Sequence, residues 1–125
     1  MEVMPKYEMV TFYKGNSIPN SHIHMYDPDN VNIACAIFRD LCKYLKGDLK
    51  PDAELATIQA IVGHGIEREE LRDEIYVQCI RQVTNCPQPE WCERIWLLLC
   101  LCIVAFQPSK LLYKVIKFFK LAERF

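Results

Sequence analysis

The sequence predicts an all-α domain, a compact bundle of about five helices behind an irregular N-terminal segment. Three observations carry this. Apolar residues recur at spacings of three and four in successive windows, no window of confident length alternates as a strand would, and Gly- or Pro-containing breaks separate the periodic windows. At 125 residues, 51% hydrophobic and 25% charged, the chain suits one domain with a real core.

Residues 1–30 are the irregular segment, punctuated by Pro5, Gly15, Pro19 and Pro28. A piece such as MVTFY there reads equally as extended or helical. From Val31 to Leu45, Ile33, Ala34, Ile37, Phe38, Leu41, Cys42 and Leu45 follow the helical period, and Gly47 ends the run. Pro51 suits a first helical turn, and Leu55, Ile58, Ile61 and Val62 share one side of a second helix that Gly63 and Gly65 should stop. A third begins near the acids Glu67–Glu70 and runs to about Asn85, with Leu71, Ile75, Cys79 and Val83 at spacing four and Tyr76 and Ile80 widening the stripe. After the break NCPQPE, a fourth runs from about Trp91 to Phe106. Ser109 is placed as the N-cap of a fifth, from Lys110 to about Arg124.

The apolar run IWLLLCLCIVAF, residues 95–106, is too short to span a bilayer. At about 1.5 Å per residue it covers roughly 18 Å against about 30 Å of hydrocarbon. Apolar on every side, it is expected to be surrounded by other helices. The start MEVMPKYEMV lacks a basic stretch followed by an apolar core, so no secretory signal is expected. Seven Cys, several in apolar runs, read as reduced thiols of a cytosolic protein. A net charge of −1 argues against nucleic acid as the main partner.

The stretch LRDEIYVQCIRQVTN raises the question of catalysis, since Asp73 and Glu74 are adjacent carboxylates. Neighbours on a helix point about 100° apart and do not converge on one reacting atom, so caps and ion pairs at a helix start are the plainer reading. No nucleophile motif is present. The spacings of Cys79, Cys86, Cys92, Cys100 and Cys102 match no zinc pair, His22 and His24 lack a second pair of ligands, and GHG at 63–65 lacks the Lys of a phosphate loop. Neither metal nor cofactor is expected. One electrostatic feature remains: residues 110–124 hold Lys110, Lys114, Lys117, Lys120 and Arg124 against Glu123, a charge of +4, which leaves −5 for residues 1–109. Those lysines line one helical face. It reads either as a solvated face of a packed helix or as a docking strip for an acidic partner.

The motifs in order resemble the myosin tail homology 4 domain of unconventional myosins. LCKYLKGD at 41–48, LRDEIYVQCIRQVTN at 71–85, RIWLLLCLCI at 94–103 and FQPSKLLYKVIKFFK at 106–120 carry the resemblance, with MVTFYKGNSIPNS at 9–21 leading into the first helix. The second is the most specific. Leu71, Arg72, Asp73, Glu74, Tyr76 and Gln78, with Trp96 of the fourth helix, are assigned to the structural motif. Two positions depart from the pattern: Ile95 replaces the usual small residue before Trp96, and Gln107 the first Pro after Phe106.

The resemblance implies a domain over residues 31–125 that is incomplete at its C-terminus, leaving Phe118, Phe119 and Phe125 without covering partners. It also implies a non-enzymatic cargo-binding or cytoskeletal adaptor of a class XV- or VII-like myosin tail. Such a module is coupled to a FERM domain in cis, binds scaffold peptides or microtubules, and works as a monomer in the cytoplasm and at actin-based protrusions. From charge segregation alone, Lys110, Lys114, Lys117 and Lys120 are the expected partner contacts. The alternative is a structural brace for a FERM or GTPase-activating neighbour, with no ligand of its own.

Overall fold

The computed structural model describes residues 11–114 and 117. Residues 11–27 form an irregular strap. Four helices follow: α1 (Pro28–Leu45), α2 (Pro51–Glu67), α3 (Arg72–Val83, preceded by a 3-10 turn at Glu69–Leu71) and α4 (Pro89–Ala105). Residues 110–114 are helical again. The fold is all-α.

Helix α1 starts at Pro28, before the apolar period becomes visible, because polar groups start it. Asp27 accepts the Asp29 amide at 2.9 Å and Pro28 occupies the first turn. At its other end Gly47 takes a φ of +73° and donates its amide to the Tyr44 carbonyl at 3.1 Å, a conformation glycine adopts without penalty.

The expectation that Gly63 and Gly65 stop α2 is overturned, since the helix continues through both to Glu67. Gly65 is buried, and a Cβ there would meet the Phe106 ring at 2.3 Å, so this glycine allows a close approach and does not break the helix. The break comes at Arg68, whose backbone is extended. What was expected as one helix from Glu67 to Asn85 is therefore a 3-10 turn followed by α3.

The core joins Ile37 and Leu41 of α1, Ile61 of α2, Ile75 of α3, and Ile95 and Leu98 of α4. Helix α4 packs against each of the other three, yet it is not enclosed as its composition predicts. Its inner side buries Ile95, Leu98, Leu99 and Cys102, while Leu97 is 63% exposed, Leu101 45% and Val104 87%. Among the described residues no helix is long and apolar enough to cross a membrane. Arg94 ties the start of α4 to its neighbours: its Nε donates to the Tyr44 carbonyl at 2.9 Å, its guanidinium lies over the Tyr44 ring, and it pairs with Glu54 of α2. Tyr44 returns a bond from its hydroxyl to the Arg94 carbonyl at 2.8 Å. Burial raises the core thiols, Cys102 to about 12 and Cys42 to about 11, so both are neutral packing groups at ordinary pH.

Candidate partner-binding site

Helix α3 holds the strap through a buried polar seam. Glu74 is fully buried, and its carboxylate accepts the Ile23 amide at 2.8 Å, the Gln78 side-chain amide at 2.9 Å and His22 Nδ1 at 2.9 Å. His22 Nε2 lies 2.9 Å from Arg81 Nη1. Because arginine only donates, the arrangement selects the neutral tautomer of His22 with its proton on Nδ1, facing Glu74. Arg81 Nε donates to the Thr11 carbonyl at 3.0 Å, and Gln82 accepts the Tyr13 amide at 2.9 Å while donating to its carbonyl at 3.2 Å. Gln78 also donates to the Ala34 carbonyl at 2.9 Å, and its Oε1 has no hydrogen-bond partner among the described residues.

The remaining motif residues take different places. Leu71 is buried in the core, and the Tyr76 hydroxyl donates to the Phe106 carbonyl at 2.8 Å. Trp96 is half-buried against the core. Arg72 donates to the carbonyls of Gly65 and Ile66 at 2.8 and 3.1 Å, closing the end of α2. Asp73 reaches the other way, accepting the Ser109 amide at 2.7 Å. Adjacent in sequence, Asp73 and Glu74 thus serve separate partners and do not converge on a shared site. Among the described residues no group of three His, Cys, Asp or Glu could hold a metal ion.

Asp73 thereby positions the start of the basic segment. Ser109 caps it from within, its hydroxyl accepting the Leu112 amide at 3.2 Å while its carbonyl accepts the Tyr113 amide at 2.8 Å. Beyond this anchor, Lys110, Lys114 and Lys117 are exposed and, with Gln107, Pro108 and Tyr113, line an open cleft of about 550 Å³. No acid lines it. Lys120, together with Phe118, Phe119 and Phe125, lies outside the described residues. Sequence reasoning missed His22, because its partners are 52 and 59 residues away.

The model of one family, the MyTH4 domain, matches residues 58–123, more than half of the chain. The chain belongs to the MyTH4 domain family. Myosin-VIIa of Drosophila melanogaster is 48% identical to it over 61 residues, 49% of this chain and 3% of that protein. The MyTH4-FERM MF1 domain of Dictyostelium discoideum myosin VII, in a mutant form, superposes with a TM-score of 0.78 at 25% identity, covering 89% of this chain and 23% of that one. The C-terminal MyTH4-FERM domain of human myosin 7b, solved in complex with the harmonin-a PDZ3 domain, has a TM-score of 0.61 at 34% identity, covering 67% of this MyTH4 chain and 18% of that one. This MyTH4 chain therefore spans a small part of the proteins it resembles.

Proposed function

We propose that this MyTH4 chain is a non-enzymatic adaptor module of an unconventional myosin tail, and that its basic cleft docks acidic surfaces of partner proteins, microtubules among them. The observation that carries the reading is the cleft itself, in which three exposed lysines flank an exposed tyrosine with no acid among the described lining residues. Such a surface attracts acidic partners and gives salt-sensitive association. Lys120 belongs to the same strip by sequence period. Work beside a FERM domain in cis, capture of cargo scaffold peptides, action as a monomer, a class VII or XV parent and a cytoplasmic place on the cytoskeleton follow from the same reading, supported by the myosin relatives. A division into a lead-in of residues 1–30 and a helical body of 31–125 belongs to the same reading, and the bonds from α3 to Thr11 and Ile23 support the two acting together.

The test is pelleting of the folded chain with microtubules at low and moderate salt, beside a variant with Lys114, Lys117 and Lys120 changed to Glu. The expected result is salt-sensitive pelleting of the wild type alone. Equal behaviour of two folded proteins, as judged by circular dichroism, removes the lysine strip as a docking site. A second reading, a brace for a FERM or GTPase-activating neighbour, is favoured by the exposed apolar side of α4. In that case the neighbouring domain in cis covers Leu97, Leu101 and Val104, which limited proteolysis and hydrogen exchange on the longer chain would detect.

A further inference from the structure

At the opposite end of α4 from the lysine cleft, a second depression is built where the strap crosses the bundle. Phe12, Tyr13 and Gly15 of the strap, Cys42 and Leu45 of α1, and Trp91 of α4 enclose about 260 Å³. Its walls are fixed on three sides. The Phe12 and Trp91 rings stack with centroids 6.0 Å apart, the Tyr13 ring meets Phe38 edge-on at 5.7 Å, and Tyr13 lies under the Arg81 guanidinium. Gly15 lets the Tyr13 ring fold over the strap's own backbone, since a Cβ there would meet that ring at 2.6 Å. Away from its rim, the polar groups of the wall are neutral or occupied: the Cys42 thiol is held neutral by burial, and the Gln82 amide is spent on both backbone groups of Tyr13.

The charges of the described residues at this depression are of one sign. Lys14 and Lys46 line it with no acid among the described lining residues, and the Lys46 ammonium is held toward the strap by Asn16 Oδ1 at 3.0 Å. The volume lies below the roughly 300–1,000 Å³ of small-molecule sites, which suits one large side chain and not a whole cofactor. A rigid aromatic slot beside two cations matches a chain that presents an apolar side chain between carboxylates.

We infer that the slot formed by Phe12, Tyr13, Leu45 and Trp91, with Lys14 and Lys46 at its rim, captures an extended peptide of a partner protein through one aromatic or large aliphatic residue flanked by Asp or Glu. The inference deepens the adaptor reading and takes from it only the class of ligand, a protein segment. Helix α4 spans Pro89–Ala105, so about 25 Å of helix separates this slot from the lysine cleft. The two sites are therefore tested independently.

The experiment is an amide and indole chemical-shift titration of the chain with a short blocked peptide carrying Phe between Glu residues, beside control peptides with Ala for Phe or Lys for Glu. Saturable shifts are expected at Gly15, Lys46 and the Trp91 indole. Affinity should fall about tenfold or more with either control peptide and with the Lys14→Glu, Lys46→Glu double variant, the loss expected when an anchor or a pair of rim charges is removed. Both lysines are exposed, so the variant keeps its fold. Shifts confined to Lys110, Tyr113 and Lys114, equal binding of the Ala peptide, or no shifts at all would each overturn the slot. The first of these outcomes would leave the lysine cleft standing. Shifts at the slot alongside failed microtubule pelleting would remove the cleft and keep the slot.

Discussion

Helices α3 and α4 pack against each other, yet each contradicts its composition. Helix α3 carries Arg72, Asp73, Glu74, Gln78, Arg81 and Gln82, and buries Glu74, Gln78, Arg81 and Gln82. Helix α4 has no charge between Arg94 and its end, and leaves Leu97, Leu101 and Val104 exposed. The difference lies in partners. The strap and α1 bring backbone amides and carbonyls to α3, so its buried polar groups make hydrogen bonds, Gln78 Oε1 excepted, whereas no described element lies over the outer side of α4. Burial here follows the supply of partners and not hydropathy alone.

The comparison breaks most sharply at Glu74. Glu74→Ala leaves the donors of His22, Ile23 and Gln78 without their acceptor, and is expected to cost about 3 kcal/mol or more, measured by urea unfolding. A loss below about 1 kcal/mol would show that the seam does not hold the strap. Next is Leu98→Ala on the buried side of α4, where truncation in a packed core costs about 2–5 kcal/mol. Gly65→Ala drives a methyl group into the Phe106 ring, and about 1–3 kcal/mol is expected unless that ring can swing away, which a crystal structure of the variant would reveal.

Asp73→Ala removes the acceptor of the Ser109 amide and should cost about 1 kcal/mol, lowering the melting temperature. The smallest effect concerns acidity. Glu70 accepts from the Asn30 side chain first, and also from the amides of Asp27 and Tyr26, which lowers its pKa below the ordinary 4.5. A depressed carboxylate stabilises the fold above its unfolded value, and that contribution fades as pH falls through the folded one. The melting-temperature gap between wild type and Glu70→Gln should therefore close on acidification below pH 4.5. A gap that widens there would reverse the sign.

The legible parts of the fold were those decided locally. Gly47, Pro51 and Ser109 mark helix ends through their own backbone or side-chain chemistry, and each does so in the structure. Gly65 was misread because the residue that fixes its role, Phe106, is distant in the chain. The burial of Glu74 was illegible for the same reason, since a charged residue is ordinarily solvated and only the strap supplies its partners. The basic strip was legible as a period of lysines. Its anchoring through Asp73 was not, nor was the aromatic slot, which three separate segments assemble.

The most direct test of this account is urea unfolding of Glu74→Ala beside the double variant Leu101→Ser, Val104→Ser. A large fall in midpoint is expected for Glu74→Ala and a change below about 1 kcal/mol for the double variant, whose side chains are 45% and 87% exposed. The reverse order, with the outer side of α4 costing more than the buried carboxylate, would contradict it.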